Sequence, residues 1–116
     1  MQITDTIIKA EREVELGEFT AKATAITEGV MERLASVWTT EKVDTGVWEA
    51  TPGSFVGKRD GYSEVCYITA GSATIEVEGE EDRELRVGDI FITPSGWTGI
   101  WHVHETIRKH YIIVND

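Results

Sequence analysis

The chain has 116 residues, 41% of them apolar, with 21 acidic against 11 basic side chains and a formal charge of −10. That length supports one domain with one modest core, and the acidic balance repels phosphate backbones and anionic bilayers, which excludes nucleic acid and membrane as partners. No basic segment leads into an apolar stretch at the N-terminus and no run of about 18 apolar residues occurs, so a cytoplasmic protein is expected; the single cysteine, Cys66, admits no internal disulfide.

The first residues pattern weakly. Over Thr4–Leu16, Ile7, Ile8 and Ala10 give an indistinct helical face, and an extended arm fits the same residues. From Phe19 onward the period is two. Phe19, Ala21, Ala23 and Ala25 alternate with Thr20, Lys22 and Thr24, which predicts a strand over Phe19–Ile26 with one buried face. Further strands are predicted at Ser36–Thr39, Val47–Ala50, Glu64–Thr69, Ala73–Val77, Ile90–Thr93, Gly99–Val103 and Ile107–Val114, separated by turns containing Gly, Pro or Asp. Gly79-Glu-Glu-Asp-Arg-Glu reads as a solvated hairpin tip. There is no internal repeat and no linker. Short alternating strands at this spacing give an all-β sandwich or closed barrel.

Two motifs narrow the choice. From Gly88 the chain runs Gly, five residues, Pro94, one residue, Gly96, two residues, then Gly99; from Glu64 it runs six residues to Gly71. Both resemble the signatures of the cupin barrels, the first complete except that Gly99 stands where a metal-binding His is usual. The earlier signature normally carries His-x-His three or four residues before its Glu, and counting back from Glu64 places Lys58 and Asp60 nearest those positions. Gly46-Val-Trp48-Glu49, Thr51-Pro-Gly53, Tyr62-Ser-Glu64-Val-Cys66-Tyr67-Ile, Gly99-Ile-Trp101 and Arg108-Lys109-His-Tyr111 extend the resemblance over Val37 to Val114, towards the cupins named for ureidoglycine aminohydrolase. The resemblance implies a double-stranded β-helix, or jelly roll, with an N-terminal arm. Residues 1–36, arm and first strands, then belong to the same domain as the barrel at 37–116.

Strand parity selects the inward side chains. In cupins the Glu of the first signature and the last ligand position of the second point inward, and residues two apart share a face. Glu64 thus brings Cys66 and Ile68 inward, Gly99 brings Trp101 and Val103, and His102 and His104 fall outside. In the last strand Ile107, Lys109, Tyr111 and Ile113 share a face, and its two isoleucines mark it as the inner one. An inward carboxylate needs compensation, and Lys109 is the candidate to supply it, either pairing with Glu64 or receiving a substrate carboxylate. Trp101 and Tyr111 add an apolar wall with polar tips. Trp48 inside would leave Glu49 in solvent.

The candidate ligand-binding residues are therefore Glu64, Lys109, Tyr111, Trp101 and Cys66, and no cofactor is expected. The reading is a metal-free module that binds a small polar metabolite of carboxylate or ureido type. The alternative is an enzyme related to ureidoglycine aminohydrolase, in which Glu64 with Asp60 or Cys66 holds a divalent metal. A homodimer is expected, with the N-terminal segment able to cross a partner.

Overall fold

A computed structural model describes residues 6–116. Eight strands follow in chain order: β1 (Thr20–Ala21), β2 (Met31–Thr39), β3 (Val43–Ala50), β4 (Gly53–Lys58), β5 (Tyr62–Glu76), β6 (Arg83–Arg86), β7 (Ile90–Thr93) and β8 (Thr98–Asn115). Every pairing is antiparallel.

Two long strands organise the molecule. β5 and β8 pair with each other along most of their length. The first half of β5 also takes β7 and its second half β6. β8 takes β4 on its first half and β3 on its second. The register between β5 and β8 shifts repeatedly between Ile68 and Ala73, and such bulges bend a ladder. Gly71 lies inside that shift with φ +80°, and a Cβ there would sit 2.2 Å from the Thr106 carbonyl oxygen, so the bend admits only glycine. Bent there, one continuous sheet faces itself and becomes the jelly roll. The all-β barrel implied by the motifs is thus the fold.

The burial pattern follows the bend. On β5 the buried residues are Glu64, Cys66 and Ile68 before Gly71, then Ala73 and Ile75 after it, a change of parity across the bulge. On β8 they are Trp101, Val103, Ile107, Lys109 and Tyr111. Trp48, Phe55 and Trp101 meet at 5.7 to 5.8 Å between ring centroids and form the aromatic centre of the core.

Several expectations need correction. The strand predicted over Phe19–Ile26 shrinks to Thr20–Ala21, and its alanines are exposed; alternating Ala buries too little area to hold a sheet. Residues 22–27 instead turn back as a flap on β4, with Ile26 and Val56 amides bonding across to Ser54 and Thr24 carbonyls. β4 itself was not anticipated, nor was β6, which follows the charged turn where only Leu85 is buried. Glu64–Thr69 and Ala73–Val77 are parts of one strand, as are Gly99–Val103 and Ile107–Val114. Of the predicted Thr4–Leu16 segment, Thr4 and Asp5 lie outside the described residues, and the remainder is extended apart from one 3-10 turn at Glu11–Glu13. It lies on the chain's own barrel, where Arg108 Nε donates to Glu11 Oε1 over 2.6 Å. Glu49 is not in solvent: Arg33 and Arg108 both donate to it under the arm. Among the described residues no helix is long and apolar enough to cross a membrane.

Candidate functional site

One end of the barrel opens into a cavity of about 750 Å3, within the range of small-molecule sites. Its walls are Trp48, Phe55, Trp101 and Tyr111, and its charged lining includes Glu64, Lys109, Arg59 and Lys22. β3, β4, β5 and β8 supply all of these except Arg59, which follows β4 directly, and Lys22, which the flap carries.

At the floor, Lys109 Nζ donates to Glu64 Oε1 over 2.6 Å, and Arg59 Nη2 reaches the same oxygen at 3.3 Å. All three side chains are at least nine-tenths buried. Lys109 is placed by register: its Cα lies opposite Trp48 on β3 and Ile68 on β5. Its ammonium stands 4.5 Å from the Trp48 ring and 4.8 Å from the Trp101 ring, so both indoles present π-faces to a desolvated cation. Arg59 is fixed by Thr93 Oγ1 on Nε and the Lys58 carbonyl on Nη1. A guanidinium carries five N–H groups, which leaves it two further donors. Glu64 Oε2 accepts no hydrogen bond from the described residues.

The electrostatics follow from this geometry. Burial alone would raise the Glu64 carboxyl, but the Lys109 and Arg59 charges more than offset it and hold it below its usual 4.5. Burial pushes the Cys66 thiol up to about 11, so it stays protonated and non-nucleophilic. Burial also raises the Tyr111 hydroxyl, which lies 3.3 Å from Ser36 Oγ.

The structure thus brings Glu64, Lys109, Trp101 and Tyr111 together on one cavity wall. Cys66 faces inward but packs in the core and is not part of the cavity lining. Asp60 is exposed, as is Lys58. His102 and His104 lie on the outer face, His102 between Ser54 and Glu76, His104 against Thr74. Two site residues were missed. Lys22 sits on the flap that was read as a strand. Arg59 was passed over because the count back from Glu64 used the three-residue spacing; the four-residue spacing lands on Gly57 and Arg59, both of which are buried.

Residues 38–111 match the family model described as the EutQ-like cupin domain. The chain belongs to that family. No match exists among curated proteins. Among solved structures, the EutQ protein of Clostridium difficile is similar over 77% of this chain and 66% of its own, at 17% identity and a TM-score of 0.66. A DUF861-family protein of unknown function from Pseudomonas syringae pv. tomato matches 89% of this chain and 46% of its own, at 19% identity and a TM-score of 0.74. A DUF861-family protein from Thermotoga maritima is 31% identical over 56% of this chain and 73% of its own, with a TM-score of 0.52. The chain therefore spans less than two thirds of the first two relatives.

The four positions that hold a metal in the cupin signatures are Gly57, Arg59, Glu64 and Gly99 in this EutQ-like domain. Only Glu64 can ligate. Trp97 fills the space beside both glycines: a Cβ on Gly57 would lie 3.2 Å from its ring and one on Gly99 2.6 Å from it. No group of three or more His, Cys, Asp or Glu among the described residues could hold a metal ion. Asp60 and Cys66 cannot complete a set with Glu64, one being in solvent and the other a high-pKa thiol in the core. These residues do not fit the usual metal centre.

Proposed function

We propose that this EutQ-like cupin domain binds a small carboxylate or ureido metabolite on fixed protein cations where other cupins use a metal. The observation that carries the reading is the charge of the buried floor: two cations, Arg59 and Lys109, against one carboxylate, Glu64. A buried cluster with one uncompensated positive charge is costly, and an anion entering from the cavity supplies the missing charge. Arg59 adds paired donors that suit the parallel oxygens of a carboxylate, while Glu64 Oε2 is free to accept an N–H from a ureido group. The finer resemblance to the ureidoglycine aminohydrolase cupins supports the same ligand type. Trp48, Trp101 and Phe55 enclose the non-polar part of such a molecule and exclude water, which strengthens the charge pairing.

N-Carbamoylglycine carries both groups and serves as the probe. Its titration into the purified protein is expected to change tryptophan fluorescence saturably, since Trp48 and Trp101 line the cavity. Arg59→Met should weaken binding at least tenfold. No saturable change with N-carbamoylglycine, acetate or propionate, checked by calorimetry, would overturn the reading.

A further inference from the structure

The charges around the cavity do not stop at the floor. Its lining holds four cations, Lys22, Lys58, Arg59 and Lys109, against two carboxylates, Asp44 and Glu64. The lining excess is two positive charges, and one once Glu32, which pairs with Lys22 at 3.0 Å from outside the lining, is counted, in a chain whose formal charge is −10. That one belongs to the floor. At the mouth stands Lys22, the one residue of the flap over residues 20–29 that is not exposed.

The position of Lys22 is specific. Its ammonium lies 5.0 Å from the Phe55 ring and 6.0 Å from the Trp48 ring, and it pairs with Glu32 at 3.0 Å. Glu32 Oε1 also accepts the Trp48 indole N–H at 2.9 Å, so one carboxylate fixes both the lysine and the wall it leans on. An ammonium has three donors; Glu32 takes one, and two remain for the cavity. The Lys22 and Lys109 nitrogens are 6.0 and 4.5 Å from the same Trp48 ring centroid and so no more than 10.5 Å apart. With each nitrogen about 2.8 Å from the oxygen it binds, a molecule lying between them has its facing oxygens within about 5 Å. That is the span of a short diacid.

We propose that the ligand of this site is a short dianion, with one anionic group on Arg59 and Lys109 and the other on Lys22, and that Lys22 makes that choice. This rests on the carboxylate-binding reading of the floor and adds the second charge to it. The aromatic wall between the poles accommodates a chain of about two methylenes.

The test compares succinate with butyrate, which match in length and differ in one carboxylate. The wild-type protein is expected to bind succinate at least tenfold more tightly than butyrate. Lys22→Gln should lower succinate affinity at least tenfold more than butyrate affinity and so abolish that preference, whereas Lys22→Arg should keep most of it. A lysine that merely pins the flap would change both affinities together. Equal binding of succinate and butyrate by the wild type overturns the dianion inference and leaves the floor reading intact. A preference that survives Lys22→Gln in a folded protein removes Lys22 from the role. If neither acid binds while N-carbamoylglycine does, this inference falls and the floor reading stands; if N-carbamoylglycine, acetate and propionate fail as well, both fall.

Discussion

Glu64 is held ionised by Lys109 and Arg59 against its own burial. Its lowered carboxyl pKa means that the pair with Lys109 contributes stability above about pH 4.5, and that this contribution is lost as the pH falls through the lower folded value. Lys109→Met leaves Arg59 alone at 3.3 Å, so the acid limb of the stability curve should move to higher pH. At neutral pH the same substitution leaves Arg59 and Glu64 as a charge-balanced pair and should cost less than Glu64→Gln, which leaves Arg59 and Lys109 with no buried carboxylate between them and should cost about 3–5 kcal/mol. Urea denaturation of the wild type and the two variants across pH 3 to 7 measures both effects. Lys109 was readable from the sequence because Ile107 and Ile113 mark the inner face of its strand. Arg59 was not, because one residue of spacing separates an inward position from an exposed one. Glu49 was misplaced because its partners, Arg33 and Arg108, come from distant parts of the chain.

At the scale of elements, what positions the site is the bend in β5 and β8. Gly71 permits the change of parity that puts Glu64, Cys66 and Ile68 inside on one side of it and Ala73 and Ile75 inside on the other. Gly71→Ala should cost at least about 2 kcal/mol, from positive φ and from contact with two carbonyl oxygens; chemical denaturation would show it as a lower midpoint with an unchanged slope. The sequence motif marked this glycine correctly. It did not reveal β4, whose Gly53-Ser-Phe-Val-Gly-Lys has only two apolar residues, or the flap, whose small alternating side chains imitate a strand. Both are held by backbone bonds to each other and to neighbours far along the chain, including Val56 to Thr24. Period-two patterning reports on side-chain burial and is silent about such pairings.

Taken whole, the molecule is an acidic barrel with a cationic cavity. The cupin fold and the loss of the usual metal ligands were implied by the motif resemblance, although the count back fell on Lys58 and Asp60, one residue from Gly57 and Arg59, and strand parity then gave the inward faces of the long strands. The cation excess was not readable, because Lys22, Arg59 and Lys109 are spread over 88 residues of chain and meet only through the flap and the β4 end. Under the proposed function these features amount to substitution of protein charge for metal charge: Trp97 packs against Gly57 and Gly99, and Arg59 and Lys109 would supply the positive field that an ion gives elsewhere. Calorimetric titration of chelator-treated protein with N-carbamoylglycine, before and after addition of manganese or zinc, tests this most directly. The account predicts saturable one-to-one binding that added metal leaves unchanged. Binding that appears only with metal, and disappears in Glu64→Ala, would contradict it.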